Sequence, residues 1–164
     1  MAGRRHIKYT KQQLVHIADI RAAGKGNFQS CRPLSPDYEI IGVFGEAAFA
    51  CKFDVPMDTT RRIDGDDGYD FLICTLRIDV KTAAKPYNLI IEKGKTDGAD
   101  IFVLAGYNGN GARLIGWEWN FIMVECPVKD FGYGISNHYK PSDNLRSMTS
   151  LYTGLHHLGM TQHG

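Results

Sequence analysis

Gly65-Asp66-Asp67-Gly68-Tyr69-Asp70-Phe71-Leu72-Ile73-Cys74-Thr75-Leu76-Arg77-Ile78-Asp79-Val80-Lys81-Thr82 is the stretch on which the reading of this chain turns. Two runs, 69–74 and 76–81, are rich in apolar and β-branched residues and follow turn-forming glycine and aspartate. They predict a β-hairpin. Side chains two residues apart on a strand share a face, so Asp79 and Lys81 project together while Val80 turns into the core. Asp70 begins the partner strand, and hairpin pairing lets it approach the same face. Asp66 and Asp67 read as turn residues, with Asp67 the lesser candidate for a ligand.

Working upstream, residues 37–53 carry Ile40, Ile41, Phe44, Ala47, Ala48 and Cys51 at helical spacing and predict a helix. Gly42 and Gly45 lie inside it. Each costs about 1 kcal/mol relative to Ala, which signals close packing against another element. Residues 10–22 predict an earlier helix with Thr10 as N-cap and a partial stripe of Leu14, Ile17, Ala18 and Ile20–Arg21. Residues 24–36, with Gly24, Gly26, Pro33 and Pro36, read as a loop or flap.

Downstream, residues 87–92 predict a strand and the apolar run 101–105 a buried one. Asn108-Gly109-Asn110-Gly111 is a turn, and residues 113–117 return as the next strand. Residues 118–126 predict a short helix ended before Pro127. Residues 130–141 read as loop, and Ser142 as the N-cap of a last helix reaching about Leu151. The fold class is therefore α/β (α+β), with a mixed central β-sheet of four to five strands flanked by helices. The expected organisation is one domain over 1–164, with 1–36 a helical and loop extension and 152–164 a flexible tail.

Length and composition suit a globular chain: 164 residues, 43% hydrophobic and 23% charged. No apolar run is long enough to span a bilayer, and none follows the basic start Met1-Ala-Gly-Arg-Arg-His6. Cys31, Cys51, Cys74 and Cys126 are scattered without zinc spacing. With Cys51 and Cys74 in apolar stretches, they read as buried reduced thiols of a cytoplasmic protein. A net charge of +1 gives no signal for nucleic acid by itself. Arg4, Arg5, Lys8 and Lys11 precede the first acid, Asp19, and could track phosphates, although a solvated terminus explains them more simply.

Two carboxylates held close together repel, and one takes up a proton unless a cation joins them. Mg²⁺ suits Asp70 and Asp79, since it takes carboxylate oxygens, a backbone carbonyl, waters and phosphate oxygens. The carbonyl of Val80, between Asp79 and Lys81, is the preferred backbone ligand. Such an ion polarises a phosphodiester and activates water, and Lys81 can orient that water or stabilise the growing charge.

The pattern Gly-Asp-Asp-Gly-Tyr-Asp70 followed by Ile-Asp79-Val-Lys81-Thr resembles the core of the PD-(D/E)xK nuclease superfamily, whose fold is restriction-endonuclease-like. Gly45-Glu46-Ala-Ala-Phe-Ala resembles the helix motif of small members, and Ala99-Asp-Ile-Phe-Val-Leu-Ala105 with Ile115-Gly-Trp117 resembles their later strands. The resemblance covers residues 42–117, with a weaker echo in 141–151. Tyr69 replaces the usual Pro, and Asp79 stands where Glu is frequent. The resemblance implies a divalent-metal-dependent nuclease acting on DNA, expected to be an endonuclease. Glu46, Asp70, Asp79 and Lys81 would be catalytic. Asp70, Asp79, Val80 and Glu46 would serve the metal, with Glu46 in the metal site or its water shell. The cofactor would be Mg²⁺, with Mn²⁺ able to substitute. By analogy a homodimer is expected, because two-strand cutting often takes two active sites.

Arg61 and Arg62, just before the glycine-rich loop, are candidate phosphate contacts, and Thr82 could hydrogen-bond near the phosphate. Lys85, Lys93 and Lys95 read as surface lysines, and His138 as a surface residue in a loop. Tyr107, Trp117 and Trp119 could stack on bases, but packing is the stronger reading for the two tryptophans. The alternative reading is a catalytically silent nuclease-fold protein acting as a DNA-binding or assembly module. The intact acid–acid–lysine set argues against it.

Overall fold

Thr10 opens the first helix by a reciprocal cap: its hydroxyl accepts from the Gln13 amide at 3.2 Å, and the Gln13 side chain accepts from the Thr10 amide at 2.8 Å. The structure, a computed structural model, describes residues 7–25, 38–58 and 68–159. Helix α1 spans Lys11–Lys25 and α2 Tyr38–Phe53. Then come β1 (Phe71–Ile73), β2 (Leu76–Ala83), β3 (Asn88–Glu92), β4 (Ile101–Tyr107) and β5 (Ala112–Trp119). A single helical turn, α3 (Asn120–Met123), leads to β6 (Val128–Asp130), β7 (Ser136–Pro141) and α4 (Met148–His157). The fold is α+β, as expected. The segment 26–37, with the proposed flap, and Arg61, Arg62, Asp66 and Asp67 lie outside the described residues.

The main sheet runs β1-β2-β4-β5, with β2 and β4 parallel and the other pairs antiparallel. Strand β4 explains its continuous apolar run. Ile101, Val103 and Ala105 join the core under the helices, while Phe102 and Leu104 join a second core with Leu89, Ile91, Ala99 and Met123. Both faces of this sheet are therefore covered, one by helices and the other by a smaller sheet.

That smaller sheet, β3-β7-β6, was not anticipated. Residues 130–141 are a hairpin and not a loop. Their glycines serve only the turn, where the Asp130 carboxylate accepts from the amides of Gly132, Tyr133 and Gly134. Because of it, β3 pairs with β7 and leaves the main sheet, which keeps four strands. His138 is accordingly a buried strand residue, 8% exposed, with Nδ1 3.1 Å from the Cys126 carbonyl.

Three further boundaries differ. The expected helix over 118–126 shrinks to α3, because Glu118 and Trp119 still belong to β5. Ser142 starts only a 3₁₀ turn, and the cap of α4 is Ser147, whose hydroxyl accepts from the Ser150 amide. Helix α4 then runs to His157 with Leu155 in the core, so residues 152–157 are packed helix. The N-terminal segment is equally integrated: Leu14, Ile17 and Ala18 lie in the helical core, and the Tyr9 hydroxyl accepts from the Met57 amide. Cys51, expected inside, is exposed, and Cys74 sits half-buried in the β1–β2 turn. No described helix is long and apolar enough to cross a membrane.

Candidate active site

Four elements deliver the side chains of the site, and the hairpin sets the geometry. Phe71 pairs with Ile78, and one further step along that register brings Asp70 opposite Asp79. The Asp70 amide donates to the Ile78 carbonyl at 2.8 Å, and its carboxylate accepts from the Val80 amide at 2.7 Å. These two bonds pin Asp70 to the edge of β2. They also show that the polar groups of Ile78 and Val80 face β1, so the Val80 carbonyl points out past the last β1 pair, beside Asp70.

The alternation expected for β2 is observed. Ile78 and Val80 are buried under the helices, and Asp79 and Lys81 occupy the other face. Lys81 Nζ lies 2.7 Å from Asp79 Oδ2, with the lysine side chain 44% exposed and the aspartate only 14%. The acid is thus recessed and the ammonium reaches toward solvent.

Glu46 approaches from α2. Gly45, just before it, lets the helix lie directly on β2: a Cβ there would overlap the Thr82 hydroxyl and sit 2.9 Å from Thr82 Cβ. The Thr82 hydroxyl is therefore buried against α2, on the face opposite Lys81, without a partner among the described residues. Gly42, by contrast, has no close neighbour, so the close packing expected of it is not observed there.

Asp70 stands where these groups converge. Burial holds its carboxyl well above the ordinary carboxylate range, and the charges of Glu46 and Asp79 push it higher. The Val80 amide and the Lys81 ammonium pull the other way without prevailing. Glu46, Asp70, Asp79 and Lys81, picked from the sequence, thus occupy one electrostatic neighbourhood. Beside it opens a cleft of about 340 Å³, lined by Val55–Asp58 and by Asp70–Ile73 on the outer edge of β1.

A glycine contact fixes the approach of the chain to Asp70. Gly68, at φ +83°, packs against Gly98; a Cβ on Gly68 would stand 2.9 Å from Gly98 Cα, and one on Gly98 would stand 2.6 Å from the Gly68 carbonyl oxygen. The Gly98 segment is itself clamped to β2, since Asp100 accepts from the Arg77 amide at 2.8 Å and its guanidinium at 3.0 and 3.1 Å.

One residue at the site was missed entirely. Arg21 of α1 donates to both carboxylate oxygens of Glu46, each at 2.8 Å, and also to the Asp58 carbonyl. Burial of the guanidinium is outweighed by its bond to Glu46 and by the charges of Glu46, Asp70 and Asp58, so its pKa rises further. Nothing in the sequence near Arg21 marks it, because its partner lies 25 residues away.

Trp117 is a packing residue: it is buried, and its indole nitrogen donates to the Ser147 carbonyl and the Ser150 hydroxyl at 3.0 Å each. Trp119 packs edge-on against it.

Among the described residues, no three His, Cys, Asp or Glu side chains form a ready-made cage for a metal ion. Asp70 and Asp79 with the Val80 carbonyl still suit Mg²⁺, which keeps several waters and commonly takes only one or two carboxylates before phosphate arrives. The destabilised charge on Asp70 is the kind of feature such an ion relieves. Searches against family models, curated proteins and solved structures give no match to this chain.

Proposed function

We propose that this protein is a divalent-metal-dependent nuclease that hydrolyses phosphodiester bonds of DNA, as an endonuclease. The observation that carries the reading is the convergence of Asp70, Asp79, Glu46 and Lys81, with Asp70 held at a high pKa by burial and by its acidic neighbours. Carboxylates that repel one another inside a fold are costly unless something cationic joins them. The likeness of Gly45-Glu46, Asp70 and Asp79-Val80-Lys81 to PD-(D/E)xK nucleases points to the same chemistry.

Asp70, Asp79 and the Val80 carbonyl would hold Mg²⁺ or Mn²⁺. When bound, the ion supplies Lewis-acid polarisation of the phosphodiester and acidifies water. Lys81, partly exposed beside Asp79, orients the attacking water and stabilises negative charge as it grows on the phosphate. Glu46 would serve that ion, directly or through its water shell.

Supercoiled plasmid incubated with purified protein and Mg²⁺ or Mn²⁺ is expected to be nicked or linearised. Lys81→Met should slow cutting by about 10²–10⁴-fold, the usual contribution of a positioned acid or base. Cutting that survives Lys81→Met unchanged, or a plasmid left intact with every metal, removes the assignment.

A second reading has one observation in its favour: Glu46 and Asp79 each already contact a cation, Arg21 and Lys81. The protein would then be a silent nuclease-fold module that binds DNA or assembles with partners. Retarded mobility of DNA with no cleavage in any metal would select it.

A further inference from the structure

We infer that Arg21 takes the place of a second metal ion: it neutralises Glu46 from within the fold, so that the site binds one divalent cation and not two. The inference rests on the metal-centre reading above and extends it to a residue outside the nuclease motifs.

Arg21 forms a fork-to-fork pair with Glu46, both contacts at 2.8 Å, and its Nη2 also reaches the Asp58 carbonyl. The side chains are 18% and 12% exposed, so the pair is largely shielded from water. A guanidinium stays charged at any working pH and presents a planar fork that matches a carboxylate. An ion seeking Glu46 would have to break both bonds and strand a shielded cation, which a buried pair resists strongly. The helix carrying Arg21 cannot drift aside easily, since Leu14, Ile17 and Ala18 are core residues.

Arg21 already supplies at Glu46 the positive charge that a second divalent ion would otherwise bring there. Arg21 is thus a positioning residue. It holds Glu46 at the edge of the site and keeps both of its oxygens out of the inner coordination sphere.

Titration of the full chain with Mn²⁺, followed by the electron paramagnetic resonance signal of free ion, tests this without any activity measurement. Wild type should bind one Mn²⁺. Arg21→Gln should bind two, Arg21→Lys one, and the double variant Arg21→Gln/Glu46→Gln one again. Two ions on wild type, or a single ion on an Arg21→Gln variant with unchanged circular dichroism, overturns the inference. Should Arg21→Gln fail to fold, Glu46→Gln decides. It should still bind one ion at saturation, and loss of that ion would make Glu46 a ligand and overturn the proposal. Wild type that binds no Mn²⁺ at millimolar concentration instead overturns the metal centre itself, an outcome distinct from any pattern among the variants.

Discussion

Asp70 carries a cost in the absence of a cation. Its carboxyl is held well above the usual range, first by burial and then by Glu46 and Asp79. A folded-state value above the unfolded one means that the native protein keeps this proton longer as pH rises. Metal-free stability should therefore decline as pH climbs from the ordinary carboxylate range through the raised value. Asp70→Asn removes the charge and keeps an oxygen for the Val80 amide. It should raise Tm at neutral pH by about 2–4 °C, equivalent to on the order of 1 kcal/mol, and abolish metal-dependent cutting. Thermal melts with and without Mn²⁺ check both halves; a lower Tm for the variant at pH 7.5 would contradict the origin assigned to the shift. At this scale the sequence was informative where chemistry follows strand period. Asp79 and Lys81 share a face because they are two apart, and a β-hairpin can be read from local pattern. Arg21 was illegible because its role exists only once α1 lies on α2, and spacing along the chain says nothing of that.

Helix α2 and strand β2 meet at Gly45 and Thr82, and their separation sets how far Glu46 reaches. Gly45→Ala gains about 1 kcal/mol of helix propensity. It also drives a methyl into Thr82, with the added Cβ 2.9 Å from the threonine Cβ. Rotation of the hydroxyl does not relieve that contact, so the helix must lift. Overpacking of this sort costs roughly 1–3 kcal/mol and should prevail. Gly45→Ala is expected to lower the urea midpoint, and Gly45→Ala/Thr82→Gly, which removes the Cβ–Cβ contact, to recover part of the loss. Full additivity of the two changes in a double-mutant cycle would argue against direct contact. The glycine was conspicuous in the sequence as a costly residue inside a helix, but which strand required it was not. Helices α1 and α2 and strand β4 were legible from caps and apolar period. The β6–β7 hairpin was not, because Ser136-Asn-His-Tyr-Lys-Pro141 is polar and its buried residues, Asn137 and His138, carry none of the apolar pattern that announces a strand.

Across the whole molecule, Glu118 ties the two sheets together. It is 1% exposed on β5, in register with Phe102 and, through it, Asp79. It accepts from Lys140 of β7 at 2.5 Å, from Arg146 Nε at 2.7 Å and from the Trp119 amide at 2.9 Å. Burial raises its pKa, but the bonds from Lys140, Arg146 and Trp119 and the charge of Lys140 outweigh burial and leave it lowered. This contribution to stability is complete above the ordinary glutamate range and is lost as pH falls through the depressed folded value. Glu118→Gln should cost roughly 2–3 kcal/mol at pH 7, typical of bonds to a charged group. It should also flatten the acid limb of a plot of stability against pH. Denaturant unfolding at pH 7 and pH 4 provides the comparison; parallel losses at both values would exclude Glu118 as the titrating group. Neither partner could be paired with Glu118 from the sequence, since Lys140 and Arg146 lie 22 and 28 residues further on.

The abutting backbones at Gly68 and Gly98 set a rule for exchanging parts. Because neither strand of chain tolerates even a methyl on the other, the lead-in to Asp70 cannot be transplanted alone from a different protein. Any graft carrying a side chain at position 68 would displace the approach to β4 and, through Asp100, the base of β2 as well. The smallest transferable unit is therefore two segments some thirty residues apart (Gly68 to Gly98) that have to be moved as one.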